Sequence, residues 1–112
     1  MPVTNVLFVC SRNRRRSPTA ERVFAAWTGI ETDSAGLAPD AELRLSSDQL
    51  LWADLVVVME RSHRATLTRR YGRYLARVRV VCLDIPDRYE FMDPELVTIL
   101  ERKMVRFLPA PS

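Results

Sequence analysis

Residues 3 to 24 read V-T-N-V-L-F-V-C-S-R-N-R-R-R-S-P-T-A-E-R-V-F, and this stretch decides the fold. Val3 to Val9 is a nearly continuous apolar run, the pattern of a strand buried on both faces in a parallel sheet. It delivers Cys10 to the start of a short arginine-rich loop that closes at Arg16, six residues on. Ser17-Pro18 then opens a helix, with proline in the first turn, where its missing N–H costs nothing. Ala20, Val23, Phe24 and Trp27 recur at helical spacing, so the helix is expected over 17–28, with Gly29 as its stop.

A thiol at the point where a loop wraps toward a helix N-terminus is suited to phosphate chemistry. The N–H groups of such a loop and of the first helical turn converge on a bound anion. A thiol in that field favours the thiolate, which is the nucleophilic form. An arginine closing the loop can grip two phosphate oxygens in a fork. Two residues at a fixed spacing are weak evidence alone. Here the strand before, the serine directly after the arginine and the proline at the helix start make the frame specific.

Outward from this stretch, strands and helices alternate. Glu31 to Ala35 reads as a second strand and Gly36 to Asp40 as loop. Ser46 with Gln49 forms a capping box for a short helix through Ala53. Leu55 to Met59 is a third strand, Ser62 to Tyr71 a helix and Val78 to Leu83 a fourth strand. Asp93-Pro94-Glu95 combines an N-cap, an early proline and an acidic first turn. Leu96, Ile99, Leu100, Met104 and Phe107 form the buried stripe of that last helix. The alternation predicts an α/β architecture: a parallel sheet with helices on both faces and right-handed crossovers. Ligands of such sheets bind beyond the carboxyl ends of the strands, and Cys10 stands at one of them.

The 112 residues suit a single domain, 1–112, with a full core. With 47% hydrophobic and 28% charged residues the composition is that of an ordinary globular protein. There is no apolar run of about 18 residues, so no membrane-spanning helix is expected. No basic segment followed by an apolar one opens the chain, so no secretory signal is expected. Two cysteines, one placed as a nucleophile, do not make a disulfide framework, and a reducing cytoplasm is the natural setting. The net charge of +3 owes much to Arg12, Arg14, Arg15 and Arg16. This cluster suits phosphate esters because it coincides with the cysteine frame. A nucleic-acid partner is not expected, although an RNA-associated role for the cluster is the rival reading, with a steep loss of affinity in salt.

These residues resemble the low-molecular-weight protein tyrosine phosphatase family, whose signature reads roughly V-C-x-G-N-x-C-R-S-P. Val9, Cys10, Asn13, Arg16, Ser17 and Pro18 match it. Arg12 stands where the family has glycine, and Arg15 where many members have a second cysteine. Thr32-Asp33-Ser34-Ala35-Gly36 is similar to the family's V-D-S-A-G strand. Arg44-Leu45-Ser46 followed by Ala53 to Glu60 resembles its R-x-I-T … F-D-Y-I-L-C-M-D stretch. The segment between residues 36 and 44 is strongly shortened.

The resemblance implies a three-layer sandwich around a four-stranded parallel sheet in the order 2-1-3-4, with the first strand central. It also implies a more open cleft, because the shortened segment helps to wall the family's site. The implied reaction is metal-free and cofactor-free hydrolysis of phosphotyrosine-type monoesters, on a phosphorylated protein or a small phosphate ester. Cys10 is the implied nucleophile and forms a thiophosphate intermediate. Ser11, Arg12, Asn13, Arg14, Arg15 and Arg16 form the phosphate-binding loop, Arg16 holds the equatorial oxygens, and Ser17 donates to the thiolate.

Family members supply the general acid from an Asp-Pro loop after the fourth strand. Here Asp84 and Asp87 are both candidates, with Asp87 preferred. Tyr89, two residues beyond Asp87, is expected to wall a substrate's ring. Asp93-Pro94 is the literal match, yet it falls where the last helix needs its cap. Arsenate reduction is a further alternative, and it would require Cys82, otherwise a core residue of the fourth strand. A non-catalytic phosphate-binding module is another. His63 reads as a surface or capping residue, and Trp27 and Trp52 as core.

Overall fold

The computed structural model describes residues 3–108; the outermost residues of the expected 1–112 domain lie outside the described residues. The apolar run becomes β1 (Thr4–Cys10), followed by α1 (Arg16–Phe24), β2 (Ile30–Gly36), α2 (Ser47–Trp52) and β3 (Leu55–Val58). Then come α3 (Arg61–Tyr71), a 3-10 turn at Gly72–Tyr74, β4 (Arg79–Cys82) and α4 (Pro94–Met104). The four strands form one sheet in the order β2-β1-β3-β4, and every pairing is parallel. The expected order therefore holds.

Alternation along β1 sorts the core into two layers. Val6, Phe8 and Cys10 face α1 and α4, where they meet Ala20, Phe24, Leu96, Leu100 and Met104. Leu7 and Val9 face the opposite side, with Val56, Val58, Leu50 and Leu67 from β3, α2 and α3. β1 is central and its residues 6–9 are fully buried, which explains its unbroken apolar run.

Both expected caps form. Ser46 Oγ accepts from the Gln49 N–H while Gln49 Oε1 accepts from the Ser46 N–H, closing a reciprocal box at α2. Asp93 Oδ1 accepts from the Glu95 N–H at the start of α4. Most boundaries differ from expectation by a single residue, but α1 ends at Phe24 rather than near residue 28. Trp27 turns edge-on against Phe24, with ring centroids 5.2 Å apart, and Gly29 takes φ 87° so that the chain reverses into β2.

Candidate active site

β1 ends at Cys10 and α1 begins at Arg16, so five residues must wrap around the carboxyl end of the central strand. The short 36–44 segment shapes that wrap. The carbonyls of Cys10, Ser11 and Arg12 accept from the N–H groups of Leu37, Ala38 and Glu42 at 3.0, 2.8 and 3.0 Å. In a trans peptide the next residue's N–H points opposite to the carbonyl. With three successive carbonyls drawn outward, the N–H groups of Ser11, Arg12 and Asn13 turn to the concave side. The Asn13 N–H is seen there, 3.3 Å from Cys10 Sγ.

Gly36 makes this close approach possible. A Cβ on it would lie 2.5 Å from Ala41 Cβ and 2.6 Å from the Ser11 carbonyl oxygen, which is too near for either. Arg12, by contrast, is not among the residues with positive φ, so the loop accommodates its Cβ where the family pattern has glycine. The left-handed position in the loop is Asn13 (φ 57°), a residue type that tolerates it.

Asn13 is also the hub of a buried hydrogen-bond chain. Its Nδ2 donates to Ser17 Oγ at 3.0 Å and to Ser34 Oγ at 2.9 Å, and Ser34 Oγ donates to Glu21 Oε1 at 2.5 Å. Ser17 Oγ accepts from Asn13 and lies 2.9 Å from Cys10 Sγ, so once Cys10 is a thiolate, which can only accept, the hydroxyl is placed to donate to it. The sulfur is thus approached by one hydroxyl and one backbone N–H, both stabilising negative charge on it.

Arg16 is 2% exposed, and its guanidinium is fixed from behind. One terminal nitrogen, Nη1, donates to Glu60 Oε2 at 2.8 Å and to the Ile85 carbonyl at 2.7 Å. Its Nε makes no hydrogen bond among the described residues, and the nearest carboxylate, Asp87 Oδ1, stands at 3.7 Å. Cys10, Arg12, Arg14, Arg15, Arg16 and Asp87 line a cavity of about 110 Å³.

Sequence reasoning missed Glu60 as a support of this site, whereas His63, expected as a surface or capping residue, is the cap, with a link to Ser11 that was not expected. Glu60 anchors Arg16, and its position directly beyond a buried strand, at the ligand-binding end of the sheet, was the available signal. His63 is 4% exposed and bonded on both ring nitrogens, so it is no surface residue. Its Nδ1 accepts from the Glu60 N–H at 3.1 Å, which leaves the proton on Nε2 to donate to Ser11 Oγ at 2.9 Å. The i, i+3 spacing of Glu60 and His63 at a helix start was the signal for that cap. Burial pushes the His63 pKa below its ordinary value, and the Arg16 charge acts in the same direction against pulls from Glu60 and Asp87.

Two expected members lie elsewhere. Asp84, at φ 53°, points away from the cavity: its Oδ1 is 3.8 Å from Arg61 Nε and 3.7 Å from Cys82 Sγ. Tyr89 does not wall the cavity. It is 3% exposed within the α1/α4 core layer, with the Arg88 guanidinium over its ring at 5.3 Å. Its large apolar ring gains more from burial under α4 than from standing in water. The 36–44 segment contributes no side chain to the cavity lining. Ser11 faces His63 rather than the cavity. Asp93 caps α4, as expected.

Cys82 and Cys10 are both free thiols on different faces of the sheet. Cys10 belongs to the α1/α4 layer, whereas Cys82 packs against the α2/α3 layer. β3 also intervenes between their strands, which sets the Cα atoms about 10 Å apart, beyond the ~7 Å limit for a disulfide. Among the described residues no three His, Cys, Asp or Glu side chains converge as a metal-binding group. No helix among them is long and apolar enough to cross a membrane.

No protein-family model matches the chain, and no curated protein matches it significantly in sequence. Solved structures do match in three dimensions. The tyrosine phosphatase Wzb from Escherichia coli K30, in complex with phosphate, superposes with a TM-score of 0.74 at 21% identity, covering 94% of this chain and 96% of that one. The YwlE arginine phosphatase from Geobacillus stearothermophilus gives 0.74 at 21% identity, over 93% and 92%. The low-molecular-weight protein tyrosine phosphatase from T. tengcongensis gives 0.74 at 25% identity, over 94% and 99%. With that strand order, that loop and those neighbours, this chain has the fold of the low-molecular-weight protein tyrosine phosphatases.

Proposed function

We propose that the protein is a cysteine-dependent phosphatase that hydrolyses phosphotyrosine-type monoesters through a thiophosphate intermediate. The observation that carries this reading is Arg16. It is a buried guanidinium anchored by Glu60 and the Ile85 carbonyl, its Nε has no hydrogen-bond partner among the described residues and only a 3.7 Å ion pair with Asp87, and it lines the same cavity as Cys10. A buried donor without a partner is costly, and a phosphate oxygen would satisfy it.

In the first step Cys10 thiolate attacks phosphorus, and the ester oxygen leaves with a proton from Asp87, which borders the same cavity. Ser17 and the Asn13 N–H hold charge on the sulfur before attack and when it departs. Arg16 and the concave N–H groups of the loop stabilise the equatorial oxygens as charge redistributes. Water then cleaves the S–P bond, with Asp87 accepting its proton.

A monoester is favoured over an N-phosphorylated guanidine of the kind named for the Geobacillus neighbour. Such a substrate would carry a cation into a cavity lined by four arginines. Disulfide shuttling between Cys10 and Cys82 is not favoured, given their opposite faces.

The test is hydrolysis of p-nitrophenyl phosphate by wild type, Cys10→Ser, Asp87→Asn and Asp84→Asn from about pH 5 to 8. The proposal expects turnover abolished in Cys10→Ser, depressed in Asp87→Asn and retained in Asp84→Asn. An inert wild type under strong reductant would refute it.

A further inference from the structure

Once Arg16 and the loop N–H groups are assigned to the scissile phosphate, three cavity-lining cations remain without a role: Arg12, Arg14 and Arg15. Their side chains are 61%, 48% and 48% exposed. Each has a carboxylate neighbour: Asp40 at 3.7 Å, Glu42 at 3.2 Å and Glu90 at 3.8 Å, respectively. Two of these separations exceed hydrogen-bond length, and exposed pairs of this kind hold weakly. The carboxylates stand outside the cavity lining while the arginines stand within it. Apart from Asp87, the assigned acid, the charged side chains lining the cavity are therefore cations, balanced on the outer side by exchangeable partners.

The same lining holds no aromatic side chain, and Tyr89 is sequestered in the core. Beyond the phosphate, the selectivity that this lining itself offers is charge. We infer that the site prefers monoesters bearing a second anionic group close to the scissile phosphate, and that Arg12, Arg14 and Arg15 hold that group by giving up Asp40, Glu42 and Glu90. This inference rests on the phosphatase reading and narrows its substrate class. The second anion exchanges one exposed ion pair for another inside a concave site, where the field of several arginines adds.

The experiment compares kcat/KM on three phosphotyrosyl peptides that are identical except for aspartate, asparagine or lysine on both sides of the phosphotyrosine. A small-molecule arm compares phenyl phosphate with its para-phosphorylated analogue. The aspartate peptide is expected to exceed the asparagine peptide by roughly five- to tenfold at low salt, the yield of two or three exposed charge contacts. The lysine peptide is expected to fall below both. That ordering should collapse toward equality near ~1 M salt, where the Debye length is ~3 Å. In Arg12→Gln/Arg14→Gln the aspartate-to-asparagine ratio should drop toward one, and the ratio, not the rate, is the readout.

Preference confined to the para-phosphorylated compound would support the inference and assign it to small bisphosphates. Preference confined to the peptides would support it and assign it to acidic protein segments. Hydrolysis of all substrates with equal kcat/KM, or with the lysine peptide ahead, would overturn the inference and leave the phosphatase reading intact. Hydrolysis of none would overturn the phosphatase reading itself.

Discussion

Cys10 depends on contacts that begin far from it. Ser17 Oγ is held 2.9 Å from the sulfur while it accepts from Asn13, and Asn13 is oriented by Ser34 and, through it, Glu21. Asn13→Ala should therefore lower kcat/KM toward p-nitrophenyl phosphate by roughly tenfold or more while Cys10 remains, since a misplaced reacting group costs rate steeply. Gly36→Ala makes a sharper steric test. The added methyl meets the Ser11 carbonyl and Ala41, so the loop must shift. A stability loss of about 1–3 kcal/mol by denaturant titration, together with reduced turnover, is expected. Unchanged stability and turnover would contradict the packing described. Cys10, Arg16 and Ser17 were legible in the sequence because they lie within eight residues of one another. The Glu60 anchor on Arg16 and the His63 bond to Ser11 were not, because they reach the loop from 44 and 52 residues away; only the capping role of His63 could be read locally. Tyr89 misled for a related reason: an aromatic next to an acid suits a wall or a core, and only the path of the 84–93 segment decides which.

At the scale of elements, caps and strand ends do most of the positioning. The Asp93-Pro94 pair would serve as an acid by motif alone, yet its carboxylate is engaged by the Glu95 N–H at the head of α4. Asp93→Ala should cost about 1 kcal/mol of stability, as N-cap losses do, and leave phosphatase turnover within about twofold. A collapse of turnover with stability unchanged would reverse the assignment. The α3 cap behaves differently because it titrates. His63 must be neutral for Nδ1 to accept from the Glu60 N–H. Its folded pKa lies below the unfolded value near 6.5, so the unfolded chain takes up the proton first as pH falls. The stability tied to neutral His63 is complete above about pH 6.5 and is lost as pH drops below it through the folded pKa. Tm of wild type should accordingly fall between pH 7 and 5 by more than that of His63→Gln. Parallel slopes would contradict the burial assigned to this ring.

For the whole molecule, the sheet order places the carboxyl ends of β1, β3 and the β4 exit side by side, and the site assembles there from all three: Cys10, Glu60 and Asp87. The architecture was readable because buried parallel strands leave unbroken apolar runs and three of the four helices carried a start signal, at Ser17-Pro18, Ser46 and Asp93-Pro94. The 2-1-3-4 order was not readable from spacing, since strand order is a matter of crossovers, and it came only from resemblance. The core should respond as one unit: Leu100→Ala, fully buried between α4 and the sheet, should cost about 2–5 kcal/mol in denaturant unfolding. A cost near that of an exposed site would show that α4 does not close the core. The central claim is that this fold carries a working cysteine phosphatase. It is tested most directly by trapping the intermediate: rapid alkaline denaturing quench of wild type with an excess of 32P-labelled phenyl phosphate, followed by detection of label on the protein. The account predicts base-stable, acid-labile label on Cys10, absent in Cys10→Ser and longer-lived in Asp87→Asn. Hydrolysis without any protein-bound label in Asp87→Asn, or with undiminished turnover in Cys10→Ser, would contradict it.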